Sequence, residues 1–440
     1  MAALVILTVA VVGVVLVSMW SRQGQQESNQ GHKTHSNYTL PISERNFYIG
    51  MVPTPKSVPE TSFDDLVNAY KEAGELGEVA MAWVSRGGIG EYEELKQNRV
   101  VTAMRTYGLE PILTLGFATI KEVPGEGLRY LIDAPEGVNG SMYDPEFRRL
   151  WVNEAKSIAE EFRPRYFSLG NEINDYFYLN PDDLQGYLTL FDEAYRAIKE
   201  VSPDTMVFVV FSYTHLIDNN QWDLFGRFND RVDMFGLTTY PQKHFDTPAE
   251  IDQDYYSRLN RYTQKPIAFT EIGWPSTNGE AEQAEFLVRF LELTKGVNVE
   301  MVNWLFLHEV QFTGRSAGIF ETGSSTIALK RSDGTRKEVY YLWLDLKELT
   351  LRRNMSGSCI GWRPVSDLTC MVWSAPLNRL SYWPRGPSGL AAFEGNGVGS
   401  AQSGVDVVFS GRPFVNTPAI LRSAIQSTSR AELRGALDGG

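Results

Sequence analysis

The chain has 440 residues, with 54 acidic and 41 basic side chains and a formal net charge of −13. This acidic balance, without a strongly basic stripe, argues against nucleic acid as a partner because the phosphate backbone would repel much of the surface. The five histidines show no ligand spacing typical of zinc, and no Gly-x-Ser-x-Gly elbow is present, so we expect no metal, no cofactor and no α/β-hydrolase triad.

The chain begins with an almost uninterrupted apolar run from Ala2 to Trp20. The run is about long enough to cross a bilayer as a helix and is longer than most signal-peptide cores. No basic residue precedes it and no clear cleavage site follows it, which favours an anchor over a removed signal. We therefore predict a transmembrane anchor or signal segment over residues 1–20, followed by a polar, Gln-rich linker over residues 21–43.

From Phe47 onward, short apolar strands alternate with helical stretches, which is typical of βαβ units on a parallel sheet. The predicted strands are 47–52, 78–84, 110–116, 166–171, 205–211, 233–240, 267–270 and 300–306. The predicted helices are 63–73, 92–107, 145–162, 181–201, 222–228, 249–262, 280–295 and 337–349. About eight such units in roughly 300 residues is the usual size of a (β/α)8 barrel, which we assign to residues 44–350.

A doubly wound open sheet is the rival architecture. It normally has fewer strands and carries a phosphate-binding glycine loop. The segment Gly87-Gly88-Ile89-Gly90 follows a strand, yet it lacks the dinucleotide-binding spacing and is predicted to be a plain turn. The barrel is therefore the preferred interpretation.

Two predicted strands end in a carboxylate. Residues 165–174 read Arg-Tyr-Phe-Ser-Leu-Gly-Asn-Glu-Ile-Asn, and residues 267–276 read Ile-Ala-Phe-Thr-Glu-Ile-Gly-Trp-Pro-Ser. In a parallel α/β barrel the carboxyl ends of the strands form the mouth, where active sites lie. Glu172 and Glu271 are therefore predicted to converge there as a candidate acid and nucleophile for cleavage of glycosidic bonds.

These two motifs carry a resemblance to a known group of enzymes. Leu-Gly-Asn-Glu-Ile at 169–173 and Thr-Glu-Ile-Gly-Trp-Pro-Ser at 270–276 resemble the paired signatures of the clan A retaining glycoside hydrolases. The second motif is most similar to the endo-β-1,3-glucanases of family 17, and the whole run also resembles the endo-β-1,4-galactanases of family 53. The resemblance covers about residues 47–349 and implies that Glu172 is the acid/base and Glu271 the nucleophile.

The same resemblance suggests further substrate-binding residues. It implies that Asn171 binds the sugar 2-hydroxyl, that Tyr240 holds the nucleophile ionised, and that Trp304 forms a floor on which the sugar stacks. Because apolar sugar faces pack on aromatic rings, Trp83 and Trp274 at strand ends are further candidates for such a platform. Each of these residues also has a plain interpretation as a core side chain.

Two histidines also follow predicted strands. His215 comes after the fifth strand and His308 after the eighth. They are placed to contact sugar hydroxyls, and a bond to the local backbone is an equal alternative.

The region after residue 350 differs from the rest. Lysine is absent after Lys347, glycine, serine and proline cluster, and both cysteines, Cys359 and Cys370, fall here. We predict that residues 351–440 are an appended segment, either disordered or a small module. The fold class is thus α/β, a (β/α)8 TIM barrel with an N-terminal membrane segment and a poorly defined C-terminal appendage.

Together these observations predict a retaining β-glycosidase that hydrolyses a β-linked oligo- or polysaccharide of galactan or glucan type by double displacement. It would be attached to the membrane through its N-terminal segment and face outward, or be secreted. A transglycosylase that uses the same carboxylates is one alternative. A non-catalytic, membrane-tethered glycan-binding barrel is another, and the presence of both acids speaks against it.

Overall fold

A computed structural model describes residues 36–56, 62–82, 88–123, 127–310 and 324–352, and eight parallel strands in them close into a barrel. The ring closes because the eighth strand pairs in parallel with the first. The (β/α)8 prediction is therefore confirmed. The strands are β1 Tyr48–Met51, β2 Val79–Met81, β3 Glu110–Thr114, β4 Tyr166–Ser168, β5 Met206–Ser212, β6 Met234–Thr239, β7 Ile267–Ile272 and β8 Val299–Trp304.

Helices surround the barrel, and several begin at the residues that the sequence marks. Ser62 and Asp65 form a reciprocal capping box at the start of the first helix. Asp144 accepts hydrogen bonds from two backbone N–H groups, and Pro145 fits the first turn that follows. The helices are α1 Phe63–Leu76, α2 Glu91–Gln97, α3 Val100–Thr106, α4 Pro145–Phe162, α5 Ile173–Leu179, α6 Leu184–Val201, α7 Tyr213–Asp218, α8 Asp223–Phe228, α9 Glu280–Leu293 and α10 Glu338–Glu348.

Two helix predictions were wrong. The stretch 92–107 is two helices, because the backbone at Arg99 is left-handed with φ of 51° and interrupts the helix. The stretch 249–262 contains only the 3-10 turns Pro248–Glu250 and Ser257–Arg261.

The barrel interior is closed at the end opposite the mouth by a buried polar pair. The hydroxyl of Tyr166 on β4 donates to Glu300 on β8 at 2.5 Å. These strands lie on opposite sides of the ring, so the bond crosses the interior. Both residues lie near the starts of their strands, which places this pair at the end of the barrel that usually serves stability.

Two short strands that flank the barrel in the sequence lie side by side. Glu44–Arg45 pairs in parallel with Thr350–Leu351. Nearby, the Arg45 guanidinium donates to both carboxylate oxygens of Glu78 at 2.9 and 2.5 Å, and Lys347 donates to Glu78 at 2.6 Å.

The predicted linker and the predicted terminal segments are only partly described. Within residues 36–43, Leu40 and Ile42 pack against the core, so this part of the predicted linker contacts the barrel. The predicted membrane segment at residues 1–20 lies outside the described residues, as do residues 353–440 of the predicted appendage. In the part of the chain that is described, no helix is both long and apolar enough to cross a bilayer.

An antiparallel hairpin, Ala118–Val123 with Gly127–Ile132, is inserted between β3 and α4. Its Tyr130 packs edge-on against Tyr176 of α5, with ring centroids 5.2 Å apart. The hairpin therefore contacts the helix that begins directly after Glu172.

Candidate active site

The chain makes a sharp turn where β4 ends. The Ser168 hydroxyl donates to the Gly170 carbonyl at 2.7 Å, and Gly170 has φ of 113°. Glu172 itself has a left-handed backbone, with φ of 49°, which is uncommon for a residue other than glycine and is typical of functional sites. The Thr238 hydroxyl on β6 donates to Glu172 Oε1 at 2.5 Å, so the turn brings this carboxyl across the mouth toward β6.

The second carboxyl belongs to Glu271 on β7. The pairing of β6 with β7 shifts its register between Phe269 and Glu271. The hydroxyl of Tyr240, the residue after β6, donates to Glu271 Oε2 at 2.5 Å. Burial, followed by the negative charges of Glu271 and Glu172, raises the pKa of Tyr240 well above its ordinary value. The phenol therefore remains a hydrogen-bond donor to Glu271 at any ordinary pH.

The two carboxyls have opposite environments. Burial raises the pKa of Glu172 well above its ordinary value, and the charges of Asp175 and Glu271 raise it further, against the bond from Thr238 and the charge of Lys243. These effects together favour the protonated form of Glu172, whereas the bond from Tyr240 favours the ionised form of Glu271. Two carboxyls, of which one favours the protonated and the other the ionised form, are expected of a catalytic acid and a nucleophile.

Buried polar atoms without hydrogen-bond partners lie at or just after the ends of β3, β4, β6 and β8, on the mouth side of the barrel. Within the described ranges they include Thr114 Oγ1, both amide atoms of Asn171, Glu172 Oε2, Gln242 Oε1 and Asn303 Oδ1. An unpaired buried polar group costs about 1–3 kcal/mol, and a cluster of them requires an explanation. A polyhydroxylated ligand at the mouth would provide the missing partners.

Comparison with known families agrees with this geometry. Residues 154–310 match the sequence model of a family described as "Glycosyl hydrolase family 53", and this stretch contains both carboxyls. Over this stretch, which is less than half of the chain, the sequence is similar to that family. The predicted resemblance to the clan A glycoside hydrolases is thereby confirmed. A search of curated proteins found no significant match.

Solved structures of other proteins show a similar fold. The "Exo-beta-1,4-mannosidase Op5Man5 from Opitutaceae bacterium strain TAV5" aligns with a TM-score of 0.54 and 15% identity over 73% of this chain. The alignment covers 63% of that mannosidase, which is less than two thirds of its length. The protein GH5_18 from Streptomyces cattleya, in complex with GlcNAc, aligns with a TM-score of 0.51 and 15% identity over 70% of this chain and 83% of its own.

In the barrel, Trp304 is a buried residue that packs against the surrounding helices. Its ring packs against Phe286 of α9 and Trp343 of α10, with centroids 6.1 and 5.9 Å away. Its indole N–H donates to the Ile327 carbonyl at 2.6 Å, and the side chain is fully buried. The ring therefore lies between the barrel wall and the helices, and these contacts do not bring it together with the two carboxyls; its role as a platform stays a prediction.

Trp274 has a similar place. Its ring stacks on Phe286 at 5.5 Å, and its indole N–H points to Glu282 of α9 at 3.3 Å. The structure thus does not bring Trp274 together with the carboxyls. Trp83 lies outside the described residues, so its role stays a prediction.

The two mouth histidines bind protein groups. His308 Nδ1 lies 2.8 Å from the Thr54 carbonyl oxygen, in agreement with the backbone-bound alternative. His215 Nδ1 lies 2.8 Å from Asp175 Oδ2. Across the described ranges, no group of three or more His, Cys, Asp or Glu side chains is arranged to hold a metal ion.

Sequence reasoning missed Thr238 and Asp175 as members of the site. Thr238 precedes Tyr240 by two residues, and strand alternation places positions two apart on the same face. Asp175 follows Glu172 by three residues, which is one turn of the helix that starts there. Both signals are visible in the sequence.

Proposed function

We propose that this glycosyl hydrolase domain is a retaining β-glycosidase acting on a β-linked oligo- or polysaccharide of galactan or glucan type. The observation that carries the proposal is the contrast between the two carboxyls. The pKa of Glu172 is raised well above the ordinary range, chiefly by burial, whereas Glu271 accepts a 2.5 Å bond from a phenol that does not ionise. Cleavage of a glycosidic bond by two carboxyls requires one protonated and one ionised group, and retention is proposed from the resemblance to the clan A retaining hydrolases.

In the first step, Glu271 attacks the anomeric carbon while Glu172 donates its proton to the departing glycosidic oxygen. The carbon–oxygen bond of the glycoside breaks, and a glycosyl ester forms on Glu271. Ester formation removes the negative charge of Glu271, one of the charges that raise the pKa of Glu172. Glu172 is then better suited to act as a base.

In the second step, Glu172 takes a proton from water as the water oxygen attacks the same carbon. The ester bond breaks, the sugar leaves with its original anomeric configuration, and Glu271 recovers its charge. The Tyr240 hydroxyl can again donate to the released carboxylate. Asn171, whose buried amide atoms have no partner within the described part of the chain, is assigned to the sugar 2-hydroxyl.

The substrate class rests on the family match. The description "Glycosyl hydrolase family 53" agrees with the resemblance to endo-β-1,4-galactanases, which supports a β-linked glycan. Polysaccharides of this kind are found outside cells, so an outward-facing, membrane-anchored or secreted protein belongs to the same proposal.

The test is hydrolysis of aryl β-glycosides and β-1,3- and β-1,4-linked glucans, galactans and mannans by the full chain. Glu172→Gln and Glu271→Gln would be measured beside the unaltered protein, and NMR would follow the product anomers. Glu300→Gln is the matched control, because it removes another buried carboxylate that accepts a 2.5 Å bond from a tyrosine. We expect retained configuration, loss of turnover in the first two variants, and turnover in the control.

Inverted products would contradict the double displacement. Activity that survives Glu271→Gln would contradict the nucleophile assignment. Glycan binding without any turnover by the unaltered protein would instead support a non-catalytic barrel.

A further inference from the structure

A buried acid–imidazole pair begins in the first helical turn after Glu172. Asp175 is in the first turn of α5, and its backbone N–H donates to the Glu172 carbonyl at 3.0 Å. His215, in α7, places Nδ1 2.8 Å from Asp175 Oδ2. Only 4% of Asp175 and 7% of His215 is exposed. The pair therefore joins the segments that follow β4 and β5, next to the proposed catalytic acid.

We propose that Asp175 and His215 form a positioning pair that keeps the proton on Glu172, with Asp175 supplying a fixed negative charge and His215 holding the Asp175 side chain in place. This inference rests on the proposed function, because it requires Glu172 to be the catalytic acid. Neither residue is assigned a contact with the substrate.

The first argument concerns the burial of the charge. A carboxylate that is taken out of water requires a partner, since an uncompensated buried charge is strongly destabilising. A neutral imidazole donating from Nδ1 satisfies an oxygen of Asp175 and leaves the pair with a net charge of −1. The bond thus holds the negative charge of Asp175 in place beside Glu172.

The second argument concerns the groups that act on Glu172. Glu271 of β7 also favours the protonated form, while Thr238 of β6 and Lys243 after β6 favour the ionised form. The charge of Glu271 disappears when the glycosyl ester forms, but that of Asp175 remains. Asp175 therefore supports proton donation in the first step and proton abstraction by Glu172 in the second.

The third argument concerns the surroundings of His215. Asp218, one turn further along α7, binds His244 at 2.8 Å, and this second pair is much more exposed. Since a charge near the surface is screened by solvent, only the buried pair is placed to influence the catalytic acid. Its effect is to extend the pH range in which Glu172 keeps its proton.

The experiment compares the full chain with Asp175→Asn and His215→Gln. For Asp175→Asn we expect the basic limb of the pH dependence of kcat/KM to move to lower pH by about one unit or more, the usual effect of a charge within a few ångströms. Turnover of glycosides with poor leaving groups should fall at neutral pH. Glycosides with dinitrophenolate leaving groups, which need no proton, should change little.

For His215→Gln the amide can still donate to Asp175, so the charge of Asp175 should remain in place. The basic limb should therefore stay close to that of the unaltered protein, in contrast to Asp175→Asn. Asp218→Asn is the matched control, because it alters an Asp–His pair with the same 2.8 Å separation at the surface. We expect its basic limb to coincide with that of the unaltered protein.

A readout without turnover separates this inference from the proposed function. The 13C carboxyl signal of Glu172, assigned by its loss in Glu172→Gln, would be titrated by NMR in each protein. A lower titration midpoint in Asp175→Asn would support the pair even if no glycoside were cleaved, in which case the proposed function alone would fail. An unchanged titration midpoint of Glu172 in Asp175→Asn would overturn the inference. A basic limb of kcat/KM that moves equally in Asp218→Asn would overturn it too. If Asp175→Asn does not fold, the test rests on His215→Gln. A lower titration midpoint of Glu172 in that variant would overturn the inference.

Discussion

Replacing Tyr240 by Phe removes one hydroxyl from the site and keeps the ring. That hydroxyl donates to Glu271 Oε2 at 2.5 Å, and the exposed fractions of the two residues are 5% and 1%. A hydrogen bond to a charged group contributes about 1.5–3 kcal/mol. Since 1.36 kcal/mol is a factor of ten, its loss predicts a fall in kcat/KM of roughly 10- to 150-fold.

The pH profile should change as well. A donated hydrogen bond favours the ionised carboxylate, so its removal should move the acid limb of kcat/KM to higher pH. The assay is a steady-state pH series on the best substrate found for the full chain. Chemical denaturation would accompany it to establish that the variant is folded.

Tyr166→Phe is a matched control within the same barrel. It removes a bond of the same 2.5 Å length, from a buried tyrosine to the buried carboxylate of Glu300, at the opposite end of the strands. We expect it to lower the free energy of unfolding and to leave the shape of the pH profile unchanged. Equal profiles for Tyr240→Phe and Tyr166→Phe would refute the idea that Tyr240 holds the nucleophile ionised.

Three further changes test other parts of the fold. At Gly170, φ is 113° and a new Cβ would lie 2.5 Å from Ile173 Cγ2. Gly170→Ala should therefore lower the free energy of unfolding, measured by denaturation, by about 1–3 kcal/mol, and should also lower kcat. Burial alone would raise the pKa of Glu78, but the bonds and charges of Arg45 and a neighbouring lysine lower it overall. Glu78→Gln should therefore lower the free energy of unfolding by about 3 kcal/mol at neutral pH. This difference from the unaltered protein should shrink as the pH falls below 4.5, because Glu78 then becomes protonated. Trp304→Phe should lower the free energy of unfolding by about 1–3 kcal/mol, because a buried carbonyl loses its hydrogen-bond donor, and KM should stay the same. A large rise in KM would instead support the interpretation of Trp304 as a sugar floor.

The sequence predicted the barrel and the two carboxyls because both depend on local signals. Each apolar run of strand length is followed by polar residues, and the carboxyl ends of parallel strands meet at one edge regardless of loop detail. Glu172 and Glu271 could therefore be placed at the same mouth from their positions alone. The hairpin between β3 and α4 was not predicted, because its strands lie in a stretch treated as a loop.

The orientation of Trp304 could not be read from the sequence. Ile267 pairs with Val299 and Ala268 pairs with Met301, so β8 has one extra residue between these pairs. A shift of one residue moves every following side chain to the other face of the strand. Trp304 consequently faces the helices. Such an irregularity depends on the neighbouring strand, which the hydrophobic pattern of β8 alone does not record.

The pairing of Asp175 with His215 was also beyond sequence reasoning. The two residues are 40 positions apart and come from the segments after different strands. Each taken alone is an ordinary polar residue near a helix start. The parallel pairing of β4 with β5 makes the segments that follow them neighbours and allows the two side chains to come within hydrogen-bond distance.

The short parallel pairing of Glu44–Arg45 with Thr350–Leu351 has a consequence for how the barrel can be connected. Neighbouring strands lie about 5 Å apart, so a brief glycine–serine linker would join these two ends of the barrel. A circular permutant could then be opened elsewhere, for example at exposed Asn220 between α7 and α8. The eight units would keep their neighbours under such a rearrangement, because the closed ring, rather than the order of synthesis, brings Glu172 and Glu271 to one mouth.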